Sequence, residues 1–456
     1  MSPDPDPEPV EQGPLGVPTA AGPVGAGEAV PPVVAASVAG SAVLSTVGVG
    51  VQGLARLAYT VLLGRALGTE ALGHMSALLS LSIFAALLWP TAAGNTASRF
   101  LALAVRRSRP DADVRRVLDI SMVVSSTVLA AAAVPVALAL GNDIGVALSA
   151  GLLVAAYGTY AYARGGSLGH GLVRRVAVWD VLSSALSLGL LVAVLAGQVP
   201  VLALVPLSAG YLVFSAVCWP RSRAASGARP SPSVTSEERR DVLGFATWNV
   251  LAGVTTNGLL QLAMVAAQVQ APGAGAGVYA AAFTLATPAS MLGQAVSQVI
   301  VPAFAHGSGA GERGNRGPLA VMGAFGVLTA VLFSAVGVLA PWYLPLFYPA
   351  EADAAVPVLQ FLMVGVFFFT LALIPSAFLL AEGRSRAVAL VSVTGFVVGV
   401  AVMAAAGPAL GVHAGTLGFL VGSVVNLVAV TGLWSRRRSG RGGPGHDAVR
   451  APGEAL

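Results

Sequence analysis

The sequence predicts an all-α integral membrane protein, with twelve transmembrane helices in two six-helix bundles related by pseudo-twofold symmetry. Three observations predict it. Of the 456 residues, 56% are apolar and only 10% charged, and the mean hydropathy is +0.80. A soluble domain carries about 25% charged residues, so this chain lacks the charge to cover a globule in water. Apolar runs of about 20 residues, the length that crosses a bilayer as a helix, recur along the chain. Arginine alternates between connections, abundant after every second run and scarce after the others.

Residues 1–32 are rich in Pro, Gly and acidic side chains, including Asp4, Asp6, Glu8, Glu11 and Glu28. They cannot bury a core and read as a disordered tail. No basic region followed by an apolar one marks a cleavable signal peptide. Twelve apolar segments follow, at 33–63, 72–94, 117–140, 144–163, 179–197, 200–219, 242–267, 277–302, 319–341, 355–381, 387–406 and 413–434. They are too long and too uniformly apolar for membrane-barrel strands, and lipid demands internally bonded backbone, so each is read as a helix.

The connections fix orientation. Arg99, Arg106, Arg107, Arg109, Arg115 and Arg116 follow or border segment 2. Arg164, Arg174 and Arg175 follow segment 4, and Arg221, Arg223, Arg229, Arg239 and Arg240 follow segment 6. Arg313 and Arg316 follow segment 8, Arg384 and Arg386 segment 10, and the tail after 434 holds Arg436, Arg437, Arg438, Arg441 and Arg450. The connections after odd-numbered segments hold Arg65 alone. Arginine resists translocation, so the rich side is expected to be cytoplasmic, with both termini inside a plasma membrane. Residues 220–241, rich in Pro, Ser and Arg, are read as a cytoplasmic linker between lobes at 33–219 and 242–434. Residues 435–456 are read as a basic cytoplasmic tail.

The halves echo each other. Gly73-His74-Met75-Ser76-Ala77 opens segment 2, and Gly277-Val278-Tyr279-Ala280-Ala281 opens segment 8, each after a short Gly-containing corner. Two like-oriented units put the axis along the membrane normal and a cavity between them. Pro90, Pro288 and Pro375 lie in apolar segments and kink them, as static bends or as hinges.

Polar side chains inside these segments are candidate cavity residues, because an ionised group at mid-membrane costs about 2.5–3.5 kcal/mol on insertion scales. At 100° per residue, Ser45, Gln52, Arg56 and Tyr59 fall within about 60° on segment 1. Arg56 either faces a cavity, where it can grip a phosphate bidentately, or snorkels to the interface. Arg65 reads as an interfacial anchor, with a cavity role second. Asn257, Gln261 and Gln268 share a face of segment 7, and Thr287, Gln294 and Gln298 one of segment 8. These amides suit sugar hydroxyls or glue helices together. Asp180, beside Arg174 and Arg175, reads as a surface ion pair, with a proton or sodium site as the alternative. Asp119 also lies near a segment end. Tyr157, Tyr160 and Arg164 share a face of segment 4 and read as interfacial anchors.

Catalytic signatures are missing. The sequence has no GxxxxGK[ST] phosphate loop and no HExxH. The five histidines have no ligand spacing, and Cys218 is alone. No cofactor, metal, nucleic-acid partner or enzymatic activity is expected; the +5 charge and pI of 9.8 reflect orienting arginines.

Residues Gly53 to Arg99 carry a resemblance. An apolar helix ends GRALG, a short corner follows, and Gly73 opens a second apolar helix ending in small and basic residues. This resembles the first helical hairpin of the polysaccharide (lipid-linked oligosaccharide, O-antigen flippase-like) flippases. They belong to the multidrug/oligosaccharidyl-lipid/polysaccharide exporter superfamily. The resemblance extends loosely over Val33 to Trp434. It implies that helices 1, 2, 7 and 8 face the cavity. It also implies that cavity cations meet the carrier pyrophosphate, a role carried onto Arg56 with Arg65 second. The expected function is alternating-access translocation of an undecaprenyl-pyrophosphate-linked oligosaccharide, with glycan polymerase and glycosyltransferases as candidate partners. A cation-coupled multidrug exporter of the same superfamily is the alternative, which would want acidic residues deep in the helices. A lipid II flippase would be expected to have fourteen helices and more cavity arginines. A membrane-embedded glycan polymerase or ligase is the non-transporter alternative, and the longest outer loop, 341–355, offers it only Glu351 and Asp353.

Overall fold

A computed structural model describes residues 32–106, 111–221, 235–307, 317–381 and 384–441. The expected tail at 1–32, most of the 220–241 linker and the end of the C-terminal tail lie outside them. Leu44–Leu456 forms one compact unit, and Met1–Val43 a separate one whose described part is the start of the first helix.

The described residues are helical throughout, without strands. In chain order the helices are α1 (Pro32–Leu67), α2 (Thr69–Leu88), α3 (Pro90–Arg106), α4 (Ala112–Ala139), α5 (Ile144–Gly169), α6 (Val173–Ala196) and α7 (Val205–Cys218). The second lobe holds α8 (Ser236–Gly253), α9 (Leu259–Gln270), α10 (Ala274–Gly307), α11 (Gly317–Phe347), α12 (Ala352–Ala381), α13 (Ser385–Leu410) and α14 (Val412–Arg441). Ten spans among the described residues are long and apolar enough to cross a membrane. With α1 and α10, of 36 and 34 residues, they make the twelve-span architecture.

Two spans are interrupted, which the apolar runs do not reveal. Segment 2 is two helices broken at Trp89 (φ −155°, ψ −51°), because Pro90 has no N–H to donate and crowds the residue before it. Its second half runs on to Arg106, past the expected end. Segment 7 is α8 and α9 joined by a π-helical turn, Val254–Gly258. Elsewhere most helices outrun their apolar cores by several residues, because caps and charged residues extend the ladder beyond the lipid. Thr235 starts α8 by accepting from the Glu238 N–H at 3.2 Å, a capping arrangement written in the sequence as T-x-x-E.

The pseudo-repeat is visible in the backbone. The corner into α2 turns on Gly68 at φ 86° and the corner into α10 on Gly273 at φ 73°, a region open to glycine at little cost. Each lobe has its own core. Tyr59, Leu63, Leu153, Leu207 and Phe214 build the first, and Met264, Tyr279, Phe333, Leu362 and Phe419 the second. Leu72 and Ala77 of α2 belong to the second lobe's core, so α1 and α2 meet α9 and α10 along a seam.

Candidate functional site: the seam and the pocket behind it

Arg56 lies between two cavities and lines both. The larger cavity occupies the seam, with a volume of about 50 Å³. Its polar lining is Arg56 and Thr60 of α1, Ser76 and Ser80 of α2, Gln261 of α9, and Thr284 and Thr287 of α10. The smaller lies inside the first lobe, at about 10 Å³, against Gln52, Arg56, Tyr59, Ser183, Ser184, Ser187 and Tyr211. No Asp or Glu lines either one.

Three oxygens in the seam are conspicuous. Ser76 Oγ, Ser80 Oγ and Gln261 Oε1 are buried and have no hydrogen-bond partner among the described residues. Buried polar atoms are nearly always partnered, since an orphan costs about 1–3 kcal/mol. All three residues line the seam cavity.

The guanidinium of Arg56 rests on the first-lobe side. Its Nε and Nη2 donate to the Tyr211 hydroxyl at 2.9 and 2.7 Å, and its central carbon lies 4.7 Å over the Tyr157 ring. Behind this pair is a second polar cluster. Tyr160 donates its hydroxyl to Asp180 Oδ1 at 2.7 Å, and Arg164 Nε donates to Oδ2 at 3.2 Å. Asp180 is 1% exposed, and Gly48 of α1 closes over it, since a Cβ there would lie 3.0 Å from Oδ2. The surface pairing expected with Arg174 and Arg175 is therefore corrected. Both arginines are exposed, Arg175 donates to the Val217 carbonyl, and Asp180 turns inward to Arg164. The reading of Tyr157 and Tyr160 as interfacial anchors is corrected with it, because they wall this cluster. Asp119 is also taken, by the Tyr162 hydroxyl at 2.7 Å.

The remaining candidates separate. Tyr59 lines the small pocket, but its hydroxyl donates to the Ala203 carbonyl at 2.5 Å. The expected segment 7 face splits three ways. Gln261 enters the seam; Asn257 falls in the π turn, outside the seam lining, with Nδ2 3.3 Å from Thr256 Oγ1; Gln268 sits at the arginine-poor end. The wider π turn rotates Asn257 off the line that a regular helix would draw. Gln294, Gln298 and Ser45 lie within α10 and α1, their side chains outside the described part, while Thr287 reaches the seam. The sequence reading missed Ser76 and Ser80, whose i, i+4 spacing in α2 was the available signal. It also missed Tyr211, whose role depends on how α7 faces α1.

At the arginine-poor end the lobes are latched. Arg65 donates to the Leu346 and Phe347 carbonyls at 2.5 and 3.3 Å, capping the end of α11 rather than entering a cavity. Thr69 bonds Glu351, and the Gln268 amide lies 3.3 Å from His74 Nε2. The two repeat-related glycines touch across the seam. A Cβ on Gly73 would lie 2.8 Å from Gly277 N, and one on Gly277 would lie 2.0 Å from Thr69 O.

No known family profile and no curated protein matches the sequence. Solved structures match in fold. An inward-facing multidrug resistance MATE family transporter of the MOP superfamily superposes with a TM-score of 0.64 at 18% identity, over 85% of this chain and 95% of that one. The eukaryotic MATE transporter AtDTX14 gives 0.60 at 14%, over 87% and 96%. An outward-facing multidrug resistance MATE family transporter gives 0.54 at 16%, over 88% and 94%. The chain is thus an all-α membrane protein of two six-helix bundles with pseudo-twofold symmetry, the fold of the MATE transporters.

Proposed function

We propose that this chain is a transporter working by alternating access, and that it exports organic molecules across a cell membrane. The observation that carries the reading is the seam cavity, walled by both lobes, lined by orphaned polar oxygens and latched at one end. Such a cavity faces one side while the latch is closed and the other side when the lobes rock and the latch parts. The arginine distribution supports reading the latched end as the outer one and the described state as inward-facing.

One finding favours a multidrug substrate range over a lipid-linked oligosaccharide: solved structures of this fold include multidrug resistance MATE family transporters. The oligosaccharide flippase stays as the second reading because of one observation, a seam without carboxylates that presents a guanidinium beside hydroxyls and an amide. Efflux of a lipophilic cationic dye from cells expressing the chain tests the first reading. Dye retention equal to that of empty cells, with surface glycan restored in a flippase-deficient strain, would move the assignment to the second. In either system Arg56→Ala at normal abundance is expected to lose most transport. Unchanged transport would remove Arg56 from the mechanism.

A further inference from the structure

The charges inside the first lobe do not balance. Asp180 is matched by Arg164 at 3.2 Å. Arg56 has no such match, because among the described residues no carboxylate lies within 4.0 Å of it. Its partners are the neutral phenols of Tyr211 and Tyr157. A guanidinium keeps its proton in proteins. Arg56 lies 7 residues (63 − 56) inside the outer end of the apolar run 33–63, about 10 Å at 1.5 Å per residue, in the outer half of a hydrocarbon core ~30 Å thick. A ring face and a phenol oxygen soften a full positive charge there, but they do not cancel it.

The space beside this charge has a definite size and chemistry. The small pocket, at about 10 Å³, holds roughly one water-sized sphere. Its lining combines the neutral polar residues Gln52, Ser183, Ser184 and Ser187 with apolar Ala55, Leu188 and Leu207. Tyr211 accepts both N–H groups from Arg56, which leaves its own O–H proton to donate. A phosphate group or a sugar ring is several times too large for the pocket in this state. A single halide is not.

We propose that this pocket binds one small monovalent anion of chloride size, held by the Arg56 guanidinium, the Gln52 amide N–H and the Tyr211 hydroxyl. The anion completes the charge balance of the first lobe. Arg56 also walls the seam, so an anion behind it holds the guanidinium on the Tyr211 side and away from the transported guest. The site does not depend on what the seam carries.

The test uses the purified full-length protein in detergent. Its unfolding midpoint is followed as sodium gluconate is replaced by sodium chloride at constant ionic strength, and the chloride NMR linewidth is titrated in parallel. Chloride is expected to raise the midpoint saturably and to broaden the chloride resonance. Sodium phosphate at the same ionic strength is expected to do neither. Arg56→Gln should weaken chloride binding by about tenfold or more, the loss of one charged hydrogen-bonding group. Arg174→Gln, exposed and remote, should bind as the unaltered protein does. Gln52→Leu keeps the charge and should weaken binding even if Arg56→Gln fails to fold. Identical midpoints in chloride and gluconate would overturn the proposal, as would chloride binding unchanged in Gln52→Leu. An equal response to phosphate would overturn the size assignment. Each outcome is read without a transport assay, so failure of the exporter reading leaves this result standing.

Discussion

Asp180 shows what one buried carboxylate does to the account. At 1% exposure its charge is sustained, among the described residues, by Arg164 and the Tyr160 hydroxyl. Removing one partner of a buried pair leaves the other charge stranded, at a cost of about 3–5 kcal/mol, whereas removing both costs less. Arg164→Gln, which takes the cation from the buried Asp180 carboxylate, is therefore expected to lower the unfolding midpoint more than Arg164→Gln combined with Asp180→Asn. Equal losses would mean that the pair is not coupled. Arg56 makes a parallel prediction. Arg56→Lys keeps the charge but loses the planar fork that donates two N–H groups to Tyr211. Lys is expected to retain only part of the transport that Ala abolishes, in either substrate assay.

Among the helices, the seam depends on close approach. Gly73 and Gly277 let α2 and α10 touch where any side chain collides with backbone. Gly277→Val places atoms where Thr69 O already lies, so the latched end is expected to part. A cysteine at Ser76 in a Cys218→Ser background should then react faster with a membrane-impermeant thiol reagent added from the arginine-poor side. An unchanged rate would show that the contact is not the closure. The interruptions belong to the same scale. The Trp89–Pro90 break and the π turn at Val254–Gly258 lie on the α2–α3 and α8–α9 spans that border the seam. These features explain what was legible beforehand. Spans were legible because burial in lipid is written one-dimensionally, as apolar length and arginine spacing. The Gly73 and Gly277 echo was legible as a repeat, but their contact was not, because it depends on how two distant helices meet. The Asp180 to Arg164 pairing stayed hidden for the same reason, since helix rotation decides whether a carboxylate near an arginine-rich loop points outward or inward. Gln261 lines the seam cavity as its period suggests, whereas Asn257 lies outside that lining because a π turn breaks the period.

For the whole molecule, the two lobes share a fold but not a charge pattern. Among the described residues, the deep charges Arg56, Arg164 and Asp180 all belong to the first lobe. The second lobe places its charges at helix ends, such as Glu351 and Arg386. The lobes are therefore expected to move as bodies, with the polar chemistry confined to one of them and to the seam. Spin labels at Gln198 and Asp353, both exposed on the arginine-poor side, should report one short distance in the unliganded protein. Added substrate should populate a longer one. A single distance unaffected by substrate would argue for a static bundle.

The most direct measurement bridges the latch. Thr69→Cys and Glu351→Cys, in a Cys218→Ser background, stand where two side chains now meet across the lobes. Transport of the cationic dye is measured before and after joining them with a short reducible bis-thiol reagent. The account predicts that transport stops on bridging and resumes on reduction. Transport that continues at the same rate with the bridge intact would contradict it, because the seam would then never need to open at that end.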